Sequence, residues 1–150
     1  MTAATPITSR ALGSATVAEA MTSGVIRCAP ETPLRAVARL MAEHRVHAIY
    51  VFDYGAEDDE TVALWGLVCD LDVVAAADGD LDTMTAHGSA VTPLVTISSS
   101  DLLADAARRM TETGVSHLAV LDPLSGRPAG VLSTLDVVRF VAGDAPDEGR

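Results

Sequence analysis

The same sequence pattern occurs twice in this chain, and this repeat limits the folds that the chain can adopt. A shift of 69 positions aligns residues 34–53 with residues 103–122, and a shift of 64 positions aligns residues 66–74 with residues 130–138. Such a repeat predicts two copies of one small unit that pack together to cover their sheets. Identical pairs include Leu34 and Leu103, Ala38 and Ala107, Met41 and Met110, and Asp72 and Asp136.

Each copy predicts the order β-α-β-β-α. Apolar residues at i, i+3, i+4 and i+7 indicate a helix that Thr32 or Asp101 caps, with Pro33 at the first helical position of copy one. The five extra residues of copy one lie in an acidic stretch, 54–61, that is typical of a surface loop between two strands. Strands are predicted at 25–28, 48–52 and 62–68, then at 94–97, 117–121 and 129–132, with closing helices at 71–77 and 135–142.

The repeat also sets the expected domain boundaries. Two domains are predicted at residues 15–77 and 94–142, joined by a linker at residues 78–93. Polar composition predicts flexible ends at residues 1–14 and 143–150.

Composition argues against several kinds of partner. The formal net charge is −11 and every basic residue is arginine, without a basic stripe, so we expect neither a nucleic-acid nor a membrane partner. The two cysteines form no C-x-x-C motif, and the N-terminus lacks the segments of a signal peptide. These features predict a cytoplasmic protein with reduced thiols.

Several short stretches, in their order and duplication, resemble the cystathionine-β-synthase-type (CBS) domain pair, or Bateman module. The resemblance covers residues 15–142 and implies an α/β (α+β) fold, a tandem pair of units with pseudo-two-fold symmetry. It also implies a non-catalytic regulatory module that binds AMP, ADP, ATP or S-adenosylmethionine in a cleft between the units, and that forms a homodimer. The stretches are VAEAMT (17–22), PETPL (30–34), GLVCDLD (66–72), GVSHLAV (114–120) and GVLSTLD (130–136).

The strongest candidate for a binding motif is Gly130-x-x-Ser133-x-x-Asp136, where a strand meets a helix. The Ser133 hydroxyl can donate to a phosphate or ribose oxygen, Asp136 can accept from both ribose hydroxyls, and Gly130 lets a ligand approach the backbone. Thr134 lies inside this motif and is included in the predicted site. The resemblance maps the G-h-h-S/T-x-x-D ribose motif of the family onto these positions.

The same residues also fit a helix-capping box, which needs no ligand. Serine at the N-cap with an acid three residues later stabilises the start of any helix. The motif alone favours capping, whereas the motif within the resemblance favours nucleotide contact.

Copy one departs from the motif, because Cys69 stands at the serine position while Asp72 is retained. A thiol is a weaker donor than a hydroxyl. We therefore predict two unequal sites, of which the Asp136 site is the stronger. The simplest role for Cys69, as for Cys28, is that of a small buried apolar residue.

The adenine base is expected to lie against apolar strand edges. The candidates are Ile26 and Val95, near the first strand of each copy, and Val46 and Val115, before the second strand. Such residues are core residues by default, and backbone contacts to the base would leave no signature in the side chains.

Polar residues near the second strand of each copy are candidate phosphate partners. His117 stands where the resemblance places an arginine in some nucleotide-binding members, and His47 aligns with Ser116. Arg27 and Arg139 are further candidates by position. A surface or partly buried side chain is the simpler interpretation of the two histidines and the two arginines.

No catalytic set, P-loop or zinc signature is recognisable, and His44 and His47 lack a third ligand for a metal. We therefore expect a protein that is not an enzyme and whose ligand is an adenine nucleotide or S-adenosylmethionine, with an effector protein as a possible further partner. One alternative is a ligand-independent dimerisation module that associates through alanine-rich helices, near Ala38 and Ala107. Another is a thiol enzyme built on Cys69.

Overall fold

A computed structural model describes residues 12–53, 63–90 and 94–143 of the chain. The chain forms two compact units, and the predicted α+β fold of two repeats is confirmed. The second-repeat unit contains residues 12–24 and 95–143, and the first-repeat unit contains residues 25–94. The acidic run at 57–60 and most of the predicted flexible ends lie outside the described residues, although residues 12–14 form a 3₁₀ turn.

The order of elements follows the predicted repeat, with two additions, β1 and α3. In chain order the elements are β1 (Thr22–Ser23), β2 (Arg27–Cys28), α1 (Leu34–His44), β3 (Ala48–Asp53), β4 (Ala63–Cys69), α2 (Asp70–Ala75), α3 (Ala86–Ser89), β5 (Thr96–Ser98), α4 (Leu103–Thr113), β6 (His117–Leu121), β7 (Pro128–Ser133) and α5 (Thr134–Ala142).

The first-repeat unit is built on a three-stranded sheet in the order β2-β3-β4, with β2 parallel and β4 antiparallel to β3. The hairpin of β3 and β4 is the one that the sequence predicts. The segment 78–93, predicted as a linker, contains α3, whose Ala86 is fully buried in this unit. The buried core consists of Cys28, Leu34, Val37, Met41, Ile49, Val51, Val68 and Ala86.

The second-repeat unit has a four-stranded sheet in the order β1-β7-β6-β5. The predicted hairpin of β6 and β7 is present, and β5 pairs with β6 in parallel. β1 adds an antiparallel edge strand to β7, with Ser23 opposite Gly130. The buried core consists of Ala15, Val17, Ala20, Ile97, Leu103, Ala106, Met110, Leu118, Val120 and Leu132.

The segment before the first repeat belongs by its contacts to the second-repeat unit. The expected boundaries assigned residues 15–24 to the first domain, but this segment packs with the opposite repeat. The Val17 N–H donates to the Asp101 carbonyl at 2.9 Å, and β1 pairs with β7. The physical reason is that Val17 and Ala15 are fully buried in the core of this unit.

Gly130 is required by the protein backbone, while the expectation that it also lets a ligand approach stays a prediction. A Cβ atom at this position would overlap the Thr22 carbonyl oxygen and lie 3.2 Å from the Ser23 Cα. The close approach at Gly130 is therefore that of strand β1.

The two long helices begin one residue later than predicted. Pro33 and Leu102 take the N-cap positions in an extended conformation, whereas Thr32 and Asp101 were expected there. The cause is tertiary in the first case, since the Leu34 N–H donates to the Met84 carbonyl at 2.8 Å. In the second case, the Asp101 carboxylate accepts from the Ser98 N–H at 3.1 Å and closes a turn.

A helix crosses a membrane only when it is long and apolar enough to span the hydrocarbon core. Within residues 12–53, 63–90 and 94–143, no helix is both long enough and apolar enough to do so.

Candidate functional site

The predicted motif of the second repeat lies where β7 ends and α5 begins. Ser133 is the last residue of β7 and pairs with His117, the first residue of β6. The Thr134 N–H donates to the Ser116 carbonyl at 2.9 Å. The structure therefore brings Ser116, His117, Ser133 and Thr134 together at one end of the β6–β7 hairpin.

The side chain of Asp136 is held at this junction by backbone and side-chain contacts. Its Oδ2 accepts from the Ser133 N–H at 2.8 Å, and the Ser133 Oγ accepts from the Asp136 N–H at 3.1 Å. This reciprocal pair is a capping box, as the ligand-free interpretation predicts. The other carboxylate oxygen, Oδ1, lies 3.5 Å from the Thr22 hydroxyl, which is at the limit of a hydrogen bond.

Ser116 and His117 contact each other at the same junction. The Ser116 Oγ lies 2.9 Å from the His117 Nδ1, and both residues are half-buried. A hydroxyl and an imidazole in this position can hydrogen-bond each other, and the pair can still hydrogen-bond a bound anion.

The first-repeat unit repeats this backbone arrangement with different side chains. The Asp70 N–H donates to the His47 carbonyl at 2.9 Å, as Thr134 does to Ser116. The Cys69 N–H donates to the Asp72 Oδ2 at 2.7 Å. The His47 Nδ1 lies 3.2 Å from the Asp70 Oδ2, an ion pair when the imidazole is protonated. This junction therefore carries two carboxylates where the second repeat carries one.

The four candidate adenine contacts are half-buried and pack against the cores. Ile26 and Val46 pack in the first-repeat unit, and Val95 and Val115 pack in the second-repeat unit. The Ile26 carbonyl accepts from the Tyr50 N–H, and the Val95 carbonyl accepts from the Ala119 N–H. Core packing accounts for their apolar character, so their contact with a base stays a prediction.

Two residues of the junctions were not selected from the sequence as site residues. Thr22 contacts Asp136 from a strand 114 positions away, and only its presence in the stretch VAEAMT marked it. Asp70 pairs with His47, 23 positions earlier, a contact that the sequence pattern does not indicate. Arg27, a candidate phosphate partner, lies with its guanidinium carbon 5.5 Å from the centre of the Phe52 ring.

Both cysteines are buried, and their chemistry is that of protonated thiols. Burial, followed by the charges of Asp72 and Asp70, raises the pKa of Cys69 to about 12. Burial is also the main cause that raises the pKa of Cys28. Because the thiolate is the reactive form, this environment does not favour a thiol enzyme.

We expect Cys69 in a Cys28→Ser variant to react with iodoacetamide at pH 8 at least about a hundredfold more slowly in the folded chain than in urea. The folded thiol keeps its proton, whereas an unfolded thiol begins to lose it near the ordinary value of 9.0. The free energy of unfolding should therefore fall as the pH rises from about 9 towards about 12. Equal alkylation rates in the folded and unfolded chains would contradict the buried position.

A metal ion in a protein needs several His, Cys, Asp or Glu side chains close together. Across the three described ranges, no group of three or more of these side chains could hold a metal ion.

Comparison with protein families and known proteins supports the resemblance found in the sequence. The family model for the CBS domain matches residues 17–79 and 89–143. A search of curated proteins gives no match.

Solved structures share the fold over most of the chain. The CBS domain pair of protein MJ0100, in complex with 5′-methylthioadenosine and S-adenosyl-L-methionine, has a TM-score of 0.72 at 16% identity and covers 85% of this chain and 96% of its own. The CBS domain of a bacterial CNNM/CorC-family Mg²⁺ transporter in complex with ATP has a TM-score of 0.69 at 20% identity, over 89% of this chain and 91% of its own.

A third similar structure is an assembly. The hexameric CBS-CP12 protein from bloom-forming cyanobacteria has a TM-score of 0.72 at 21% identity and covers 84% of this chain and 70% of its own. At these identities the likeness shows a shared fold. Since the family model matches both repeats and most of the chain, the protein belongs to the CBS domain family as a tandem CBS pair.

Proposed function

We propose that this chain is a non-catalytic regulatory module that binds an adenosine-containing ligand at the junction of β7 and α5. The observation that carries the proposal is the geometry of Asp136. One carboxylate oxygen is fixed by the capping box, while the contact of the other within the described residues is a long one, with the Thr22 hydroxyl. A preorganised carboxylate oxygen with two lone pairs is suited to accept from both ribose hydroxyls.

The chemistry that the similar structures have in common supports the class of ligand. The ligands of MJ0100 and of the CorC domain differ in charge and in the 5′ substituent, but each contains adenosine. Recognition of the ribose by a carboxylate would serve all of them. Ser133, Thr134, Ser116 and His117 lie at the same junction and would supply further hydrogen-bonding groups.

The direct test of the proposal is stabilisation by ligand. At a hundredfold excess over Kd, we expect AMP, ADP, ATP or S-adenosylmethionine to raise the free energy of unfolding by about 2.7 kcal/mol. For a domain of this size, that gain corresponds to a rise of about 5–10 °C in melting temperature. Guanosine triphosphate serves as the control, and the proposal fails when none of the adenosine ligands raises the melting temperature above that control.

A second candidate function, association with a second copy of the chain, is favoured by an apolar helix face. Val138 and Val141 on α5 are 61% and 58% exposed, and Leu71 and Val74 on α2 are 66% and 68% exposed. Most of the large exposed apolar side chains of the described residues therefore lie on the closing helices, while Leu102 and Leu124 lie elsewhere. The alanine-rich helices were expected to provide a surface for association. Ala106 of α4 is fully buried whereas Ala38 and Ala107 are half-buried, so that expectation stays a prediction.

We expect Val138→Glu to weaken self-association at least about tenfold, because a carboxylate would be buried without a partner in an apolar interface. Leu124→Glu is the matched control, since Leu124 is 96% exposed on the turn between β6 and β7. Sedimentation equilibrium of the two variants and the wild type measures the difference. A wild type that stays monomeric at all concentrations contradicts this candidate, as does an equal effect of the two substitutions.

A further inference from the structure

We propose that the junction of β4 and α2 in the first-repeat unit excludes phosphate-bearing ligands, and that Asp70 is the residue that determines this specificity. The chain would then bind anionic adenine nucleotides at one site, the Asp136 junction, although the motif occurs twice. This inference rests on the proposed function, because it concerns the ligand selectivity of the duplicated site.

The two junctions have the same backbone geometry, so their side chains can be compared position by position. The first helical N–H donates to the carbonyl of the residue before the hairpin in both units, at 2.9 Å in each. In both units the residue before the helix donates its N–H to the aspartate three positions later. Asp70 therefore takes the position of Thr134, and a carboxylate stands where the second repeat has a hydroxyl.

The charged residues of α2 and α5 also make the first-repeat junction the more negative of the two. α2 begins with Asp70 and Asp72 and has Ala75 in its last position. α5 has the single carboxylate of Asp136 in its first turn and carries Arg139, which aligns with Ala75, in its second. Two carboxylates at one junction repel a phosphate group more strongly than one does, and Arg139 lowers the net negative charge of α5.

The position of the Asp70 side chain is set by its neighbours. Its Oδ1 accepts from the Leu71 N–H at 2.9 Å, and its Oδ2 lies 3.2 Å from the His47 Nδ1. These contacts hold the carboxylate between the helix start and the beginning of β3. One imidazole carries at most one positive charge, so it cannot neutralise both Asp70 and Asp72.

The donors that a phosphate needs are also fewer at this junction. Cys69 provides a thiol, a weak donor, in place of the Ser133 hydroxyl. Helix α2 has six residues and α5 has nine, so the favourable dipole at the start of α2 is the smaller one. The weaker donors and the added negative charge both disfavour phosphate binding at this junction.

The experiment isolates the first-repeat junction in an Asp136→Ala background and measures ATP and adenosine binding by isothermal titration calorimetry. We expect Asp136→Ala alone to bind no ATP up to millimolar concentration. Adding Cys69→Ser and Asp70→Thr copies the second repeat. This variant should bind ATP at least about tenfold more tightly than Asp136→Ala alone. Asp70→Asn separates charge from shape and should give part of the gain, whereas Cys69→Ser alone should give little.

The outcomes distinguish a failure of the inference about Asp70 from a failure of the proposed function. If the wild type binds two ATP per chain and Asp136→Ala keeps one, the inference is overturned while the proposed function stands. If the variant with both substitutions folds, by its melting curve, yet gains no ATP affinity relative to adenosine, Asp70 is not the determinant. If the wild type binds neither ATP, adenosine nor S-adenosylmethionine, the proposed function itself is wrong.

Discussion

Replacing Asp136 with alanine is expected to abolish stabilisation by adenosine ligands. The substitution removes the acceptor for the ribose hydroxyls, and two hydrogen bonds to a carboxylate amount to about 3 kcal/mol, or roughly a hundredfold in Kd. It also removes the acceptor of the Ser133 N–H, so the ligand-free chain should lose about 1 kcal/mol of stability. Melting curves with and without ligand measure the two effects separately.

Asp72→Ala is the matched control, because Asp72 holds the equivalent position in the first-repeat unit. It accepts from the Cys69 N–H at 2.7 Å, so its removal should cost about the same stability in the absence of ligand. Nucleotide affinity should nevertheless stay within about twofold of wild type. Equal loss of affinity in the two variants would contradict the assignment of nucleotide binding to Asp136.

Replacing Gly130 with alanine is expected to have the largest effect on folding. The added methyl group would overlap the Thr22 carbonyl oxygen, and the obstacle is backbone that cannot turn aside as a side chain can. Relief requires β1 to separate from β7, so we expect a loss of about 3 kcal/mol in the free energy of unfolding. Urea denaturation followed by circular dichroism measures it.

Gly13→Ala provides the comparison for this experiment. A Cβ atom at Gly13 would meet no atom within 4 Å, and Gly13 is exposed. Its substitution should change stability by no more than about 0.5 kcal/mol. A Gly130→Ala chain as stable as Gly13→Ala would show that β1 is not paired with β7 in solution.

Periodicity predicted the elements whose residues repeat, because local patterns determine their buried faces. The helix periodicity from Leu34 and from Leu103 predicted α1 and α4, and the paired apolar runs predicted both hairpins. The N-caps were displaced because the Leu34 N–H finds its partner in Met84, far along the chain. Such a partner has no local signature.

Strand β1 could not be predicted from its own residues. Thr22 and Ser23 show no alternation, and they form a strand only because β7 offers its edge. The same pairing explains Gly130, where a side chain would meet the backbone of a segment more than a hundred positions earlier. The sequence motif alone therefore did not reveal that the chain itself requires a glycine at this position.

The candidate site was predictable where spacing alone fixes geometry. Ser133 and Asp136 are three positions apart at a helix start, which places their side chain and backbone groups in contact. The long contact of Asp136 with Thr22 and the pairing of Asp70 with His47 depend on tertiary structure. Those two contacts distinguish the junctions from each other.

The edge strand β1 has a consequence for synthesis of the protein on the ribosome. Thr22 pairs with Val131, so the strand emerges about a hundred residues ahead of its partner and waits roughly 5–20 s at usual translation rates. Val17 and Ala20 remain uncovered in that interval, while the uninterrupted segment 25–94 emerges in full. A nascent chain that stalls before β7 would therefore expose Val17 and Ala20 to chaperones.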